Sequence, residues 1–580
     1  MNAVFGVRLL IGCGVGLVLM GNSDGLPQKG QPPLTAQTAR TGGPIDPEQA
    51  KLVFDQANLD LEIFPETERL TGVARLTFTA KAPLTVLVVD LDRNLGPSAI
   101  AIDGKPLPAT AFSNSEGQLR ITLPKRVAIG ERVVATIAYG GIPHVALRAP
   151  YDSGVVWAKT KEGRTWFGTT TENHGCDLFW PCLDFPTGKP GEVALHITVP
   201  KGLKAPSNGR LIGVDTLPDG RTRWNWLTRH PNTYGIALNV GPYEEISGIY
   251  QSRFGNRIPM YYWYLPGEEQ QARELFSEFA PALDYLEQQI GPYPFGDEKV
   301  GVVETPYMGM EHQTINGYGF HYAKSPEGFD GLFFHEFSHE YFANQLTAAD
   351  WDDMWLHEGY ASYMRPLYGL WREGNARYLA ILLSQRDEVA NKVPVVSGKS
   401  RSGSDLEDPV SGPGQDVYVK ASWMLHTLRH LIGDRDFWTI TRLAVYGRVD
   451  PKPGNFVPRY GSTKEYEALV RQVTGRDYGW FFDVYLRQAQ LPELIATRDG
   501  GRLTVSWEVP HGLPFPVPVE VQVDGRLRYL KMVNGSETII VPPNAHVVLD
   551  PEARVLKQSD AADNYRKWKE GLRKGGASAS

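Results

Sequence analysis

Two histidines and two glutamates are the residues of this chain best placed to do chemistry. His335, Glu336 and His339 stand in the run Phe334-His335-Glu336-Phe337-Ser338-His339-Glu340, which reads H-E-x-x-H. On an α-helix, residues four apart lie nearly above one another, so both imidazoles would face one point. Two nitrogen donors at one point suit zinc, and Glu336 beside them could take a proton from a water. A catalytic zinc wants a third protein ligand and one open position. Glu358, nineteen residues past His339 in Trp355-Leu356-His357-Glu358-Gly359, is the obvious third ligand, on a following helix. Leu332, Phe333, Phe334, Tyr341 and Phe342 predict that the first helix is buried. Buried paired histidines need partners, which favours a metal site over two histidines that merely edge a core.

Around these residues the chain resembles the gluzincin aminopeptidases, the M1 metallopeptidase family. The family pattern is H-E-x-x-H, eighteen residues, then Glu, and this chain matches it. Ala343-Asn344-Gln345-Leu346-Thr347 and Asp350-Trp351-Asp352-Asp353-Met354-Trp355-Leu356 resemble the family's G-N-x-V-T and D-W-W-x-D-L-W-L, with His357 where Asn is usual. The resemblance implies one zinc per chain held by His335, His339 and Glu358, with Glu336 as general base. Asp352, Asp353 and Glu340 are candidates to orient the imidazoles.

The resemblance extends to Gly309-Met310-Glu311-His312, similar to G-x-M-E-N with His312 replacing Asn. It implies that Gly309, Met310 and Glu311 bind substrate, Glu311 taking the free α-ammonium. A carboxylate at fixed distance from the metal is what an exopeptidase needs to hold a cation. Tyr418, in Asp416-Val417-Tyr418-Val419-Lys420-Ala421, matches the family's Tyr-x-Lys-Gly sixty residues past the Glu ligand, with Ala421 for Gly. Its hydroxyl would stabilise the oxyanion. Glu172, in Thr169-Thr170-Thr171-Glu172-Asn173, matches a Gln or Glu that helps hold the amine. It lies upstream of a P-C-x-D-x-P-like run, Pro181 to Pro186, at a spacing about two residues shorter than usual.

A chain of 580 residues with 42% hydrophobic and 22% charged residues predicts a globular protein of three or four domains. A net charge of −7 and a pI near 6.1 argue against a general nucleic-acid binder. The apolar run Leu9 to Met20 after Arg8 is signal-peptide length, too short for a membrane span. A signal peptide over 1–23, cleaved near Gly21-Asn22-Ser23, is expected. Lipidation at Cys13, in Leu10-Ile11-Gly12-Cys13, is the lesser reading because the apolar run continues past it. Residues 24–46, rich in Gly, Pro, Thr and Gln, read as a disordered leader. The expected location is periplasmic or extracellular, with no transmembrane span. In an exported chain Cys176 and Cys182 could pair. Two buried thiols is the other reading, and spacing does not decide.

Residues 47–245 alternate with period two, as in Leu59-Asp60-Leu61-Glu62-Ile63, with turn signals at Asp103-Gly104 and Gly140-Gly141. Over 246–490 the period lengthens: Phe276, Phe279, Leu283, Leu286 and Ile290 predict a helix stopped by Gly291-Pro292. After a strand at Lys299 to Glu304 come the two metal helices, then helices near 376–391, 415–432, 434–446, 463–474 and 477–488. Period two returns over 491–558 with a hairpin at Asp524-Gly525, and 559–580 reads as a Lys-, Gly- and Ser-rich tail. With the resemblance, this is a multidomain α+β chain. It has an N-terminal β saddle, a thermolysin-like catalytic domain and a small C-terminal β-sandwich, without room for the large helical domain of many family members. The expected function is a zinc aminopeptidase acting on peptides. Alternatives are an epoxide or other small-molecule hydrolase on the same scaffold, or a peptide-binding protein with an inactive site.

Overall fold

The computed structural model describes residues 33–323, 325–454 and 456–576. The expected signal peptide, Cys13 and residues 24–32 of the leader lie outside the described residues. The architecture is α+β: a β-rich N-terminal unit, a helix-rich middle and two small C-terminal sheets.

The strand Leu52–Phe64 organises the N-terminal unit. Its alternate residues Leu59, Leu61 and Ile63 are buried, so the pleat turns one face to the core. It pairs antiparallel with Arg69–Ala80 and parallel with Glu192–Val199, inside an eight-stranded sheet. Asp103 and Gly104 form a two-residue hairpin turn, at φ 49° and 78°, the region such turns demand. Gly140 and Gly141 are not a turn; they end the strand Arg132–Gly141. There a Cβ on Gly140 would lie 2.8 Å from the Leu70 carbonyl oxygen, so the glycine serves a close backbone approach. Cys176 and Cys182 are joined by a disulfide beside the buried Trp180.

Residues 33–46 are packed rather than disordered. Thr35 Oγ1 donates to the Glu116 carbonyl at 2.6 Å, and Thr41 Oγ1 to Asp184 Oδ1 at 3.0 Å. The Gly42 amide donates to the Asp184 carbonyl at 2.9 Å. Hydrogen bonds, not apolar burial, hold this segment, which is why its polar composition misled.

The middle unit begins with a five-stranded sheet: β1 (Glu244–Gln251), β2 (Arg257–Tyr264), β3 (Val300–Glu304), β4 (Gly309–Met310) and β5 (Asn316–Tyr318), in the order β1-β2-β3-β5-β4. Edge strand β4 therefore has one side free to face a site. Helix α1 (Gly331–Ser338) starts at Asp330, whose Oδ1 accepts from the Phe333 amide at 2.9 Å. Phe333 stacks on Phe279 at 4.8 Å and Phe334 on Tyr368 at 4.1 Å. Those rings clamp one face of α1 and fix the other, with His335 and Glu336, toward a cavity. The regular helix stops one residue before His339, but His339 keeps helical backbone at φ −65°, ψ −16°. The four-residue geometry survives.

Helix α2 (Trp355–Glu373) carries Glu358 in its first turn, and α3 (Val419–Ile432) follows Tyr418. A Cβ on Gly359 would sit 2.6 Å from Ala421 Cβ. The bare glycine lets α3 approach α2 and brings Tyr418 beside Glu358. The helix expected over 415–432 is thus a 3-10 turn, Gly414–Val417, then α3; that expected over 477–488 is shorter, Gly479–Tyr485.

The C-terminal strands form two three-stranded sheets, with Asp524 and Gly525 at φ 45° and 80° in a hairpin turn. Phe515 lies 5.6 Å from Tyr485 and 5.8 Å from Trp480, so this unit shares a core with the helices. The stretch read as a tail holds a helix, Asp560–Gly576, and Lys569 Nζ pairs with Glu388 at 3.3 Å. Among the described residues, no helix is long and apolar enough to cross a membrane.

Candidate metal centre and active-site cavity

Helices α1 and α2 bring His335, His339 and Glu358 together. Glu358 Oε2 lies 3.2 Å from His335 Nε2 and 3.4 Å from His339 Nε2, and the two nitrogens are 3.2 Å apart. His339 Nδ1 is 2.8 Å from the Phe342 carbonyl, which can only accept. Nδ1 therefore carries the hydrogen, and the Nε2 lone pair points at Glu358. Glu358 Oε2 has no hydrogen-bond donor, although it is buried. Two imidazole nitrogens and a carboxylate oxygen converge on one point, an arrangement that suits a cation.

The separations fit zinc. Atoms at these distances are equidistant from a point about 1.9 Å from each, close to the roughly 2.0–2.2 Å that zinc makes with nitrogen and oxygen. Burial opposes a charge on His339, yet Glu358, Glu311 and Glu336 outweigh it and lift its pKa to about 10. Without an ion, the same acids draw a proton to His339 in its place. Burial dominates at His335 and holds it down at about 4. At Glu358, burial acts upward, but the two imidazoles pull the carboxyl well below its usual range.

None of the three acids considered for orienting the imidazoles does so. Asp352 accepts from the Ser397 and Gly398 amides, Asp353 from Thr463, and Glu340 from Thr314, Asn316 and Asn344. The Phe342 carbonyl does the work at His339. It was invisible in the sequence because any residue supplies a carbonyl. His357 accepts from the Ala348 amide at 2.8 Å.

The other expected residues surround the same centre. A Cβ on Gly309 would meet Glu336 Oε1 at 2.5 Å, so only glycine in edge strand β4 lets that carboxylate lie against it. Met310 is buried beside Thr170, with Thr170 Oγ1 at 3.9 Å from its sulfur. Glu311 is buried and its Oε1 accepts from the Tyr234 hydroxyl at 3.0 Å. His312 is buried, and burial holds it neutral by lowering its pKa to about 3. Carboxylate oxygens of Glu172, Glu311 and Glu358 lie within 4.8 Å of one another. Glu358 is thus the shared corner of a metal-type triad and a triad of acids. Burial, then Glu311 and Glu358, push the Glu172 carboxyl well above the ordinary range. Crowded buried carboxyls cannot all ionise unless a cation joins them. The Tyr418 ring stands 6.2 Å from that of His335.

His335, His339, Glu358, Glu336, Gly309, Met310, Glu311, Glu172 and Tyr418 line one cavity of about 510 Å³, together with Tyr151, Asn173, Glu327, Arg365, Glu388 and Glu407. Sequence reasoning missed the latter set, and missed Tyr234 as the partner of Glu311. They come from segments distant in the chain, and no local pattern marks them.

Comparisons with known proteins show the family of the chain. The family model described as the peptidase M1 N-terminal domain matches residues 53–234, and that described as the peptidase family M1 domain matches residues 284–446. Endoplasmic reticulum aminopeptidase 1 of Homo sapiens is 25% identical over 53% of this chain and 34% of its own length. Aminopeptidase B of Rattus norvegicus is 25% identical over 66% of this chain and 57% of its own, and leukotriene A-4 hydrolase of Xenopus laevis 25% over 48% and 45%. The chain thus spans about a third to a little over half the length of these relatives. The crystal structure of an M1 zinc metallopeptidase from Deinococcus radiodurans shares the fold, with a TM-score of 0.61 at 23% identity over 79% of this chain and 98% of that one. With both domain models matched in order and the H-E-x-x-H and Glu358 side chains converging, the chain belongs to peptidase family M1.

Proposed function

We propose that this chain is a zinc-dependent aminopeptidase, releasing the first residue from peptides with a free α-amine. The observation that carries the reading is Glu358 as the common corner of two clusters, His335–His339–Glu358 and Glu172–Glu311–Glu358. A cation-binding set of acids directly beside a metal triad suits an ammonium held next to the scissile bond. An endopeptidase needs no such anchor.

In this mechanism Glu311 and Glu172 hold the α-ammonium, and Tyr234 fixes the Glu311 carboxylate through its hydroxyl. When bound by His335, His339 and Glu358, zinc supplies Lewis-acid polarisation and acidifies a water to a pKa of about 7. Glu336, against edge strand β4, accepts the proton of the attacking water and returns it to the leaving amine. The Tyr418 hydroxyl donates to the oxyanion as it develops. We also read the chain as exported: the apolar run at Leu9 to Met20 and the Cys176–Cys182 disulfide both suit an oxidising compartment.

The likeness to leukotriene A-4 hydrolase supports a small-molecule hydrolase as the rival reading, but a cavity walled by carboxylates suits a cation better than a lipid. The test is hydrolysis of chromogenic aminoacyl anilides, free and N-acetylated, with and without a chelator. Cleavage of the free amine, abolished by chelation and by acetylation, is expected. Equal cleavage of the acetylated compound, or turnover indifferent to the chelator, would overturn the reading.

A further inference from the structure

The cavity holds more negative charge than the proposed reaction uses. Four of its glutamates belong to the two clusters or act as base. Of the others, Glu327 is paired with Arg365, and Glu388 with Lys569 at 3.3 Å. Glu407 remains. It closes the short helix Gly403–Glu407, lines the same cavity, and makes no hydrogen bond or ion pair with any described residue. Glu407 is half-buried and its carboxylate stays open to the cavity, where a cationic group can pair with it.

Its surroundings say where that charge would come from. Tyr418 and Tyr151 line the cavity with Glu407, and Gln415 adds an amide between Glu407 and Tyr418 in the chain. Burial, followed by the charge of Glu358, pushes the Glu407 carboxyl upward, with Arg148 a lesser opposing influence. Burial, then acids that include Glu407, raise the hydroxyls of both tyrosines. A substrate with its α-ammonium on Glu311 and its carbonyl at His335 and His339 must send its first side chain into the remaining volume. Aromatic faces beside a free carboxylate favour a long cationic side chain.

We propose that Glu407 selects peptides whose first residue is arginine or lysine. This rests on the aminopeptidase reading and names its substrate class. The experiment compares kcat/KM for arginyl, lysyl and leucyl anilides in the full chain and in Glu407→Gln, Glu407→Lys and Glu388→Gln. The unmodified chain prefers arginine and lysine over leucine. A hydrogen-bonded ion pair lost to Glu407→Gln lowers the arginine-to-leucine ratio about 10- to 100-fold, chiefly through KM. Glu407→Lys, a charge reversal, lowers it further, and Glu388→Gln leaves the ratio where it was. A ratio near one in the unmodified chain, or one unmoved by Glu407→Gln, overturns the inference while aminopeptidase activity stands. Failure of all three anilides to be cleaved removes the aminopeptidase reading and the inference with it.

Discussion

Two groups of buried acids sit in this molecule, and burial raises the carboxyls in both, Glu358 apart. Asp90, Asp177 and Asp184 lie under the disulfide loop; Glu172, Glu311, Glu336 and Glu358 lie in the cavity. Their partners differ. Asp90 Oδ2 accepts from Gln49 Nε2 at 2.5 Å and from the Asp184 amide at 3.0 Å, and Asp184 Oδ1 from Thr41 Oγ1 and the Cys176 amide. These bonds tie residues 41–49 to the disulfide loop. In the cavity group, the Nε2 atoms of two imidazoles lie 3.2 and 3.4 Å from one carboxylate oxygen, and the oxygens of three acids crowd within 4.8 Å. Perturbation by burial alone does not mark a site. Two imidazole nitrogens and a carboxylate oxygen converging on one point do.

That contrast can be broken by mutation. The largest expected effect is Glu336→Gln, which removes the proposed base and lowers kcat by about 10²- to 10⁴-fold without shifting Tm. A variant that keeps a tenth of the activity would place the base elsewhere. Tyr418→Phe comes next, lowering kcat by roughly 10²- to 10³-fold with little change in KM, as loss of an oxyanion donor does. Under the disulfide loop the pattern reverses. Asp184→Ala leaves two donors without an acceptor and costs about 1–3 kcal/mol of stability, read as a fall in Tm, with kcat/KM unchanged. A drop in kcat/KM at full stability would mean that the two groups are coupled.

The smallest effect is one of pH. Burial, partly offset by the Asp184 amide and Gln49, lifts Asp90 from its ordinary 3.8 to about 6. Between those values the folded chain binds the extra proton, so this group's contribution to stability is complete at low pH and lost as pH rises through about 6. Asp90→Asn keeps an acceptor for those donors and removes the titration. Its Tm relative to the unmodified chain rises between pH 4 and pH 8, by the equivalent of at most about 3 kcal/mol. A constant difference over that range would show that Asp90 titrates normally.

Much of this was legible in the sequence because the physics is local. The four-residue spacing of His335 and His339 fixes their common face on any helix. Asp103-Gly104 and Asp524-Gly525 carry their turn geometry in the dipeptide. Gly140-Gly141 looked the same, but its glycines answer to Leu70, which only the folded sheet brings near. Residues 33–46 were misread because hydrogen bonds to Glu116 and Asp184 substitute for an apolar face. Tyr234, the Phe342 carbonyl and Glu407 had no signature at all. Each matters through a neighbour supplied by the fold rather than by sequence spacing.

The central claim is that His335, His339 and Glu358 hold one divalent ion. Zinc content per chain, measured by plasma mass spectrometry on the purified full chain, tests it directly when Glu336→Gln and His339→Ala are set beside the unmodified protein. About one zinc is expected in the unmodified chain and in Glu336→Gln, and a large loss in His339→Ala, because three donors are needed to close the site. Zinc retained in full after His339→Ala would contradict the account.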